Sequence, residues 1–343
     1  MDISELGLSV GSMPKGKLNS ICDVTGVTVG QVTLDSGDTQ TGVTVVMPCE
    51  DNMFCHKLIG ASFVLNGFGK TLGLVQLDEL GTLETPIALT NTLNVGLVHD
   101  ALVEYMLTRC AQDGIRLTSV NPIVCECNDS SLNDISQRAV KAGHVFEAIG
   151  SASAHFSLGA VGAGRGMTCH GLKGGIGTAS RLISLGGKTY TLGALLLTNH
   201  GRLPDLTLCS RPIGREIDQI LNDPKPDKGS CIAVIATDLP LSSRQLKRVL
   251  KRAGVGLCRV GSYLGHYSGD VFVGFSTANR IMDSEQPILD AAYLNEKYID
   301  HAFRACAEAV EEAVLSSLVN AQPLTGYRGT SRRALMEFLK KEG

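Results

Sequence analysis

No stretch of this 343-residue sequence reaches the ~18 apolar residues that a membrane-crossing helix needs. The opening MDISELGLSVGS holds neither a basic run nor an apolar core, the two marks of a secretory signal. A soluble, cytoplasmic protein is the expectation. Basic residues are not in excess: 31 Lys and Arg stand against 34 Asp and Glu, so no electrostatic footprint for nucleic acid is present. The sequence also lacks a Cys-x-x-Cys pair. Its eleven cysteines are scattered, and the closest spacing is Cys125-x-Cys127. That pattern argues against a disulfide framework or a zinc site and for reduced thiols. Several, such as Cys231, Cys258 and Cys306, sit in apolar runs where a free thiol behaves as a small hydrophobe.

The familiar catalytic signatures are missing too. NGFGKTLG (Asn66–Gly73) ends like a phosphate-binding P-loop, but Val64 stands where the first glycine is required. GAVGAGRGM (Gly159–Met167) and GGIGTAS (Gly174–Ser180) are incomplete as dinucleotide loops. There is no Gly-x-Ser-x-Gly elbow; in GHYSG (Gly265–Gly269) the serine comes one place too late. There is no His-Glu-x-x-His, and the eight histidines show no ligand spacing. Neither a metal nor another cofactor is expected.

What is present is a core. Apolar residues make up 43% and charged residues 19%, enough to bury an interior and too ordinary for disorder. Thirty-nine glycines announce tight turns and close backbone approaches. Strand-like runs rich in Val, Ile and Thr recur at Gly26–Leu34, Thr41–Pro48, Ala61–Gly69, Pro86–Thr92, Asn121–Cys127, Lys188–Asn199, Cys231–Asp238 and Asp270–Asn279. Helical spacing marks residues 94–114, with Asn94 as N-cap. It also marks Ser130–Gly150, Leu241–Gly254 with Gly254 just past its end, Asn295–Ala321 and Ser331–Lys341. Five basic residues on Leu241–Gly254 read as a solvated face. Strands come in runs followed by helices, which favours an α+β layered sandwich over a doubly wound parallel sheet. No internal repeat is evident, and LNDPKPDKG (Leu221–Gly229) reads as an exposed loop.

Ser230 stands at the end of that loop and opens the strand-like run SCIAVIATD. Two readings are open from the residues alone. It is a loop serine before a strand, or a nucleophile. Its hydroxyl could attack the carbonyl of Gly229, which offers no side-chain obstruction. Hydrolysis of the resulting ester would leave Ser230 as a new N-terminus, whose α-amine (reference pKa about 8) can serve as base for its own hydroxyl. No histidine is needed.

Motifs along the whole chain settle the weighting. KLNSICDVTGVTVGQVTL (Lys17–Leu34), TPIALTNTLNVGLVHDAL (Thr85–Leu102), ECNDSSLNDI (Glu126–Ile135), GAVGAGRGMTCHGLKGGIGTASR (Gly159–Arg181), TNHGR (Thr198–Arg202), GSCIAVIATDLPL (Gly229–Leu241) and RVGSYLGHYSGD (Arg259–Asp270) occur in order. Together the sequence resembles the self-processing serine aminopeptidases of the L-aminopeptidase/D-Ala-esterase/amidase (DmpA) family, which includes the β-aminopeptidases. The resemblance implies a four-layer α-β-β-α sandwich, similar to N-terminal-nucleophile hydrolases but with different connectivity. It implies one domain over residues 1–343, cut between Gly229 and Ser230 into fragments 1–229 and 230–343 that stay together. It further implies a homo-oligomer of these pairs, acting on small peptides, amino-acid amides or esters, with no nucleic-acid or membrane partner.

Site roles follow from the same resemblance. Ser230 would be the nucleophile for self-cleavage and for substrate. Ser268 and Asp270 in YSGD would orient it; some members carry Glu where this chain has Asp270. Asn199 in TNHG would donate to the oxyanion, a task that suits a carboxamide because it does not titrate. Glu126 in ECND would grip the free amine of the substrate. Asn128 stands where some members have an aromatic lining residue, which opens the question of side-chain preference. An acyltransferase of related fold, comparable to ornithine acetyltransferase, would use Thr instead of Ser230. A pantetheine-type amide hydrolase and an uncleaved binding protein are the remaining alternatives.

Overall fold

The computed structural model describes residues 1–221, 229–282 and 286–339. Its strands gather into two main sheets. The smaller one has the order β1-β2-β5-β6, from β1 (Thr28–Ser36), β2 (Thr39–Met47), β5 (Ile87–Asn91) and β6 (Ile123–Cys127). The larger one runs β4-β3-β12-β11-β10-β9, from β3 (His56–Gly67), β4 (Thr82–Leu83), β9 (Ile176–Leu185), β10 (Lys188–Asn199), β11 (Ser230–Thr237) and β12 (Gly269–Met282). A small hairpin of β7 (Thr168–Cys169) and β8 (Leu172–Lys173) lies apart. Two neighbour pairs are parallel, β5 with β6 and β11 with β12. Parallel neighbours need crossovers, and helices supply them: α2 (Val95–Gln112) for the first, α5 (Ser243–Leu250) and α6 (Ala253–Arg259) for the second. Antiparallel β9 and β10 are joined at Gly186-Gly187, both with positive φ (58° and 76°), as a two-residue hairpin demands.

Alternation along the strands builds the layers. Leu195 and Leu197 of β10, with Ile232, Val234 and Ala236 of β11, meet Val46, Leu89 and Cys125 of the smaller sheet in a core between the sheets. The opposite faces take helices. Ala194, Leu196, Ala233 and Ile235 pack on Leu246, Leu257, Ala309 and Val310 from α5, α6 and α7 (Ile299–Val319). Val43, Val45, Ala88 and Val124 pack on Val98, Ala101 and Val145 from α2 and α3 (Ala142–Gly150). The outcome is the α-β-β-α sandwich. Every residue of β11 is buried, which is why that strand reads as an unbroken apolar run. Two further helices, α1 (Leu74–Leu80) and α4 (Ile213–Leu221), lie at the periphery, and no helix among the described residues is long and apolar enough to cross a membrane.

Several local expectations need correction. Ser130–Gly150 is not one helix: a short 3₁₀ turn at Ile135–Gln137 precedes α3. Asp129 accepts from Thr41 Oγ1, Asn133 accepts from the Gln40 N–H, and Arg138 adopts φ 46°, so side chains and a left-handed residue divert this backbone from the helix. Gly254 does not end a helix but lies inside α6. Asn94 starts α2 without a side-chain cap; the Asn91 carboxamide accepts its N–H instead. Ser331–Arg332 is extended and Leu335–Glu337 a single 3₁₀ turn, where a terminal helix was expected; Lys340 and Lys341 lie outside the described residues, as does most of the loop before Gly229. Cys231 and Cys306 are buried, whereas Cys258 is exposed on α6. The basic face of α5 is exposed and paired, with Arg244 and Arg248 on Glu296 and Lys247 on Asp78.

Candidate active site

Ser230 is the first residue of the central strand β11, and its two neighbours across the sheet bring the rest of the site to it. On one side the antiparallel register sets Ser230 opposite Asn199, the last residue of β10. On the other the parallel register sets it beside Gly269, the first residue of β12. The Gly269 N–H donates to Ser230 Oγ at 3.3 Å. Only glycine fits at either flank: a Cβ on Gly269 would lie 2.5 Å from the Phe68 carbonyl oxygen, and one on Gly229 would lie 1.7 Å from that of Asn199.

Ser268 and Asp270 bracket Gly269 and are both buried. Ser268 Oγ donates to Asp270 Oδ1 at 3.0 Å. The turn carrying Ser268 is held from β3, where Asn66 Nδ2 donates to the Gly265 carbonyl at 2.6 Å. Alternation in β12 sends Asp270 toward the Ser268 side rather than into solvent, so the shorter acid still reaches its serine.

Asn199 is oriented at both ends of its carboxamide. Its Oδ1 accepts from the Thr168 N–H and its Nδ2 donates to the Asn128 carbonyl, each at 2.9 Å. That leaves the second Nδ2 hydrogen uncommitted among the described residues. A carboxamide pinned in this way can stabilise a developing negative charge without first reorganising.

Glu126, on β6, is buried in the wall of a cavity of about 500 Å³ that Ser230 also lines. Phe68, Lys70, Thr92, Asn128, Ser130 and Tyr267 complete its wall. The Lys70 N–H donates to Glu126 Oε1 at 2.9 Å, and Thr92 Oγ1 donates to Glu126 Oε2. Each carboxylate oxygen is thus held by one donor, with lone pairs left for an ammonium group. The structure therefore brings all six expected residues to one place. It adds Phe68, Lys70, Thr92, Thr168 and Tyr267, which the sequence reading missed. Phe68 and Lys70 belong to NGFGK, the stretch that fails as a P-loop and serves here as cavity wall.

Nearby groups that could compete are silenced by burial. The Cys231 thiol, next in chain to Ser230, is pushed well above its ordinary pKa, first by burial and then by the Asp270 charge. Cys127 is raised likewise by burial, then by Glu126. Both remain protonated and poorly nucleophilic. His200 follows Asn199 and is pushed down to about 3 by burial and by His170, so its imidazole is neutral. Cys169, His170 and His200 bring donor atoms within 4.8 Å of one another, the one such group among the described residues with the chemistry to hold a metal ion. His170 Nδ1 lies 3.0 Å from the Arg202 carbonyl, which fixes that ring in place.

Residues 19–332 match the family model for peptidase family S58. The chain is 36% identical over 346 residues to the beta-peptidyl aminopeptidase BapA of Sphingosinicella xenopeptidilytica, covering 94% of this chain and 85% of that protein. Among solved structures it superimposes on the PH0078 protein from Pyrococcus horikoshii OT3 with a TM-score of 0.93 and 48% identity, over 98% of this chain and 96% of that one. It matches the L-aminopeptidase D-Ala-esterase/amidase of Ochrobactrum anthropi, described as a variant of the Ntn-hydrolase fold, with a TM-score of 0.91 and 32% identity, over 97% and 95%. The chain belongs to peptidase family S58, the DmpA family, and is a serine aminopeptidase.

Proposed function

We propose that the chain cuts itself between Gly229 and Ser230, and that the freed Ser230 removes N-terminal residues from short peptides, amino-acid amides or esters. The observation that carries this reading is one cavity lined by both Ser230 and Glu126, with Asn199 and the Ser268–Asp270 pair brought beside Ser230 by the strand register. In the first reaction Ser230 Oγ attacks the Gly229 carbonyl. The C–N bond breaks as the C–O bond forms, and the Ser230 nitrogen takes the hydroxyl proton. Water then hydrolyses the ester, leaving a carboxylate at Gly229 and a free amine at Ser230. In the second reaction that amine accepts the Oγ proton while Oγ attacks the substrate carbonyl. Asn199 Nδ2–H stabilises the oxyanion, and the Ser268–Asp270 pair holds the amine and hydroxyl in register. The substrate ammonium sits on Glu126. The names of the relatives, a beta-peptidyl aminopeptidase and an L-aminopeptidase D-Ala-esterase/amidase, support this range. Exposed Val75, Leu80, Tyr263 and Tyr267 would be covered in a homo-oligomer.

Intact mass on purified protein tests the first step. Two species, residues 1–229 and 230–343, are expected; full-length chain alone would end the self-processing reading. Glu126→Gln tests the second. Losing a charge-assisted contact to the ammonium lowers kcat/KM on amino-acid p-nitroanilides roughly 50-fold, and N-acetylated substrates are not turned over by the parent enzyme. Equal rates on free and acetylated substrates would remove Glu126 from amine recognition.

Gly229→Ala bears on the cut alone. The added methyl would lie 1.7 Å from the Asn199 oxygen, so the scissile carbonyl must move. A displacement of about 1 Å costs about 100-fold in rate. Processing followed by gel over days should show full-length chain persisting; normal cleavage would mean that the Gly229 carbonyl is not held against Asn199 during the reaction.

A further inference from the structure

The cavity has a charge at each of two places. Glu126 supplies the negative one, buried in the wall. Lys70 supplies the positive one, and it is the single cation among the described wall residues.

Backbone contacts hold Lys70 there. Its N–H is bonded to Glu126 Oε1 at 2.9 Å. A Cβ on the preceding Gly69 would lie 3.7 Å from the same oxygen and 4.0 Å from Gly269 Cα. The Phe68 carbonyl presses on Gly269, the residue whose N–H bonds Ser230 Oγ. Residues 68–70 are thus threaded between the acid and the nucleophile. The Lys70 ammonium rests 4.6 Å from the centroid of the Phe68 ring, itself braced edge-on by Tyr267 at 5.8 Å. Both rings line the cavity. Among the described residues no carboxylate pairs with this ammonium, whereas Lys15, Lys57 and Lys247 each have an acidic partner. A cation left on a ring face at the wall of a binding cavity has its strongest interaction still to make, with an anionic oxygen.

We infer that Lys70 selects substrates carrying a carboxylate in addition to the free amine. Glu126 takes the ammonium, Ser230 the scissile carbonyl and Lys70 the carboxylate. This rests on the aminopeptidase reading of the cavity given above. The carboxylate has two sources with the same chemistry: the C-terminus of a di- or tripeptide, or the side chain of an acidic residue.

Two substrate pairs separate them, each measured as a ratio of kcat/KM on one enzyme sample, so that partial loss of folded protein cancels. Alanyl-alanine against its C-terminal amide tests the chain terminus. Aspartyl p-nitroanilide against the asparaginyl compound tests the side chain. The acid is favoured about 5- to 10-fold in at least one pair. That ratio falls to about one in Lys70→Met, inverts in Lys70→Glu and shrinks as salt is raised. A ratio of one or less in both pairs, or a preference unchanged in Lys70→Met, overturns the inference while leaving the aminopeptidase reading standing. No turnover of any of the four compounds overturns that reading itself.

Discussion

Ser230→Ala is expected to yield a single, folded, 343-residue chain with hydrolysis reduced by at least about 10⁴-fold. The substitution removes one oxygen from a site where Ser230 is buried and its hydroxyl accepts from the Gly269 N–H. The β11 ladder to Asn199 and Gly269 is made by backbone and stays intact, so the melting temperature should move by no more than a few degrees. Both losses come from one cause. Without Oγ there is no attack on Gly229, and without that attack there is no free amine to act as base. The adjacent Cys231 cannot stand in, because burial keeps its thiol protonated and alternation turns it to the opposite face of the sheet. A variant that still separates into fragments 1–229 and 230–343, or retains more than about one-hundredth of the parent rate, would exclude Ser230 as nucleophile.

Asn199→Ala should lower kcat by about 10²- to 10³-fold with KM nearly unchanged. The ground-state substrate carbonyl gains little from a donor that matters most once charge develops, so the loss falls on the chemical step. Asn199 also ties Thr168 to Asn128. Losing those bonds costs about 1–3 kcal/mol in stability, which a thermal melt records separately. A rise in KM at constant kcat would assign Asn199 to substrate binding. Because Asn199 is paired with Ser230 across the two strands, self-cleavage should slow in parallel.

The sandwich was legible where burial alone dictates residue type. β10 and β11 are covered on both faces, and their apolar runs announce them. β9 was hidden for the opposite reason. Gly177 lies where a Cβ would be 1.9 Å from the Ala313 carbonyl oxygen, so α7 demands small residues there. The same strand buries Arg181, which pairs with Glu308 and Glu312 of α7 more than 120 positions away. A glycine-rich strand with a buried arginine has no local signature. The terminal segment misled because Leu335, Phe338 and Leu339 follow helical spacing, while the Lys173 N–H binds the Arg333 carbonyl and holds the chain extended.

At the site, residue chemistry by itself left Ser230 as either turn or nucleophile. The motif pattern along the whole chain decided it, and also named Ser268, Asp270, Asn199, Glu126 and Asn128. The cavity wall was out of reach. Phe68, Thr92 and Tyr267 come from separate loops, and only the strand order brings them together.

That strand order has a last consequence. β11 and β12, both downstream of Gly229, are inserted between β3 and β10, both upstream of it. Neither fragment owns a continuous large sheet, and α7, which covers β9 and β10, belongs to the smaller piece. Once the bond is cut, the molecule that folded as one chain can be regained from denaturant only by two chains meeting. Refolding of the intact precursor is then independent of concentration, whereas that of the mature enzyme is second order. The proposed cut would thus turn a unimolecular folding reaction into a bimolecular one.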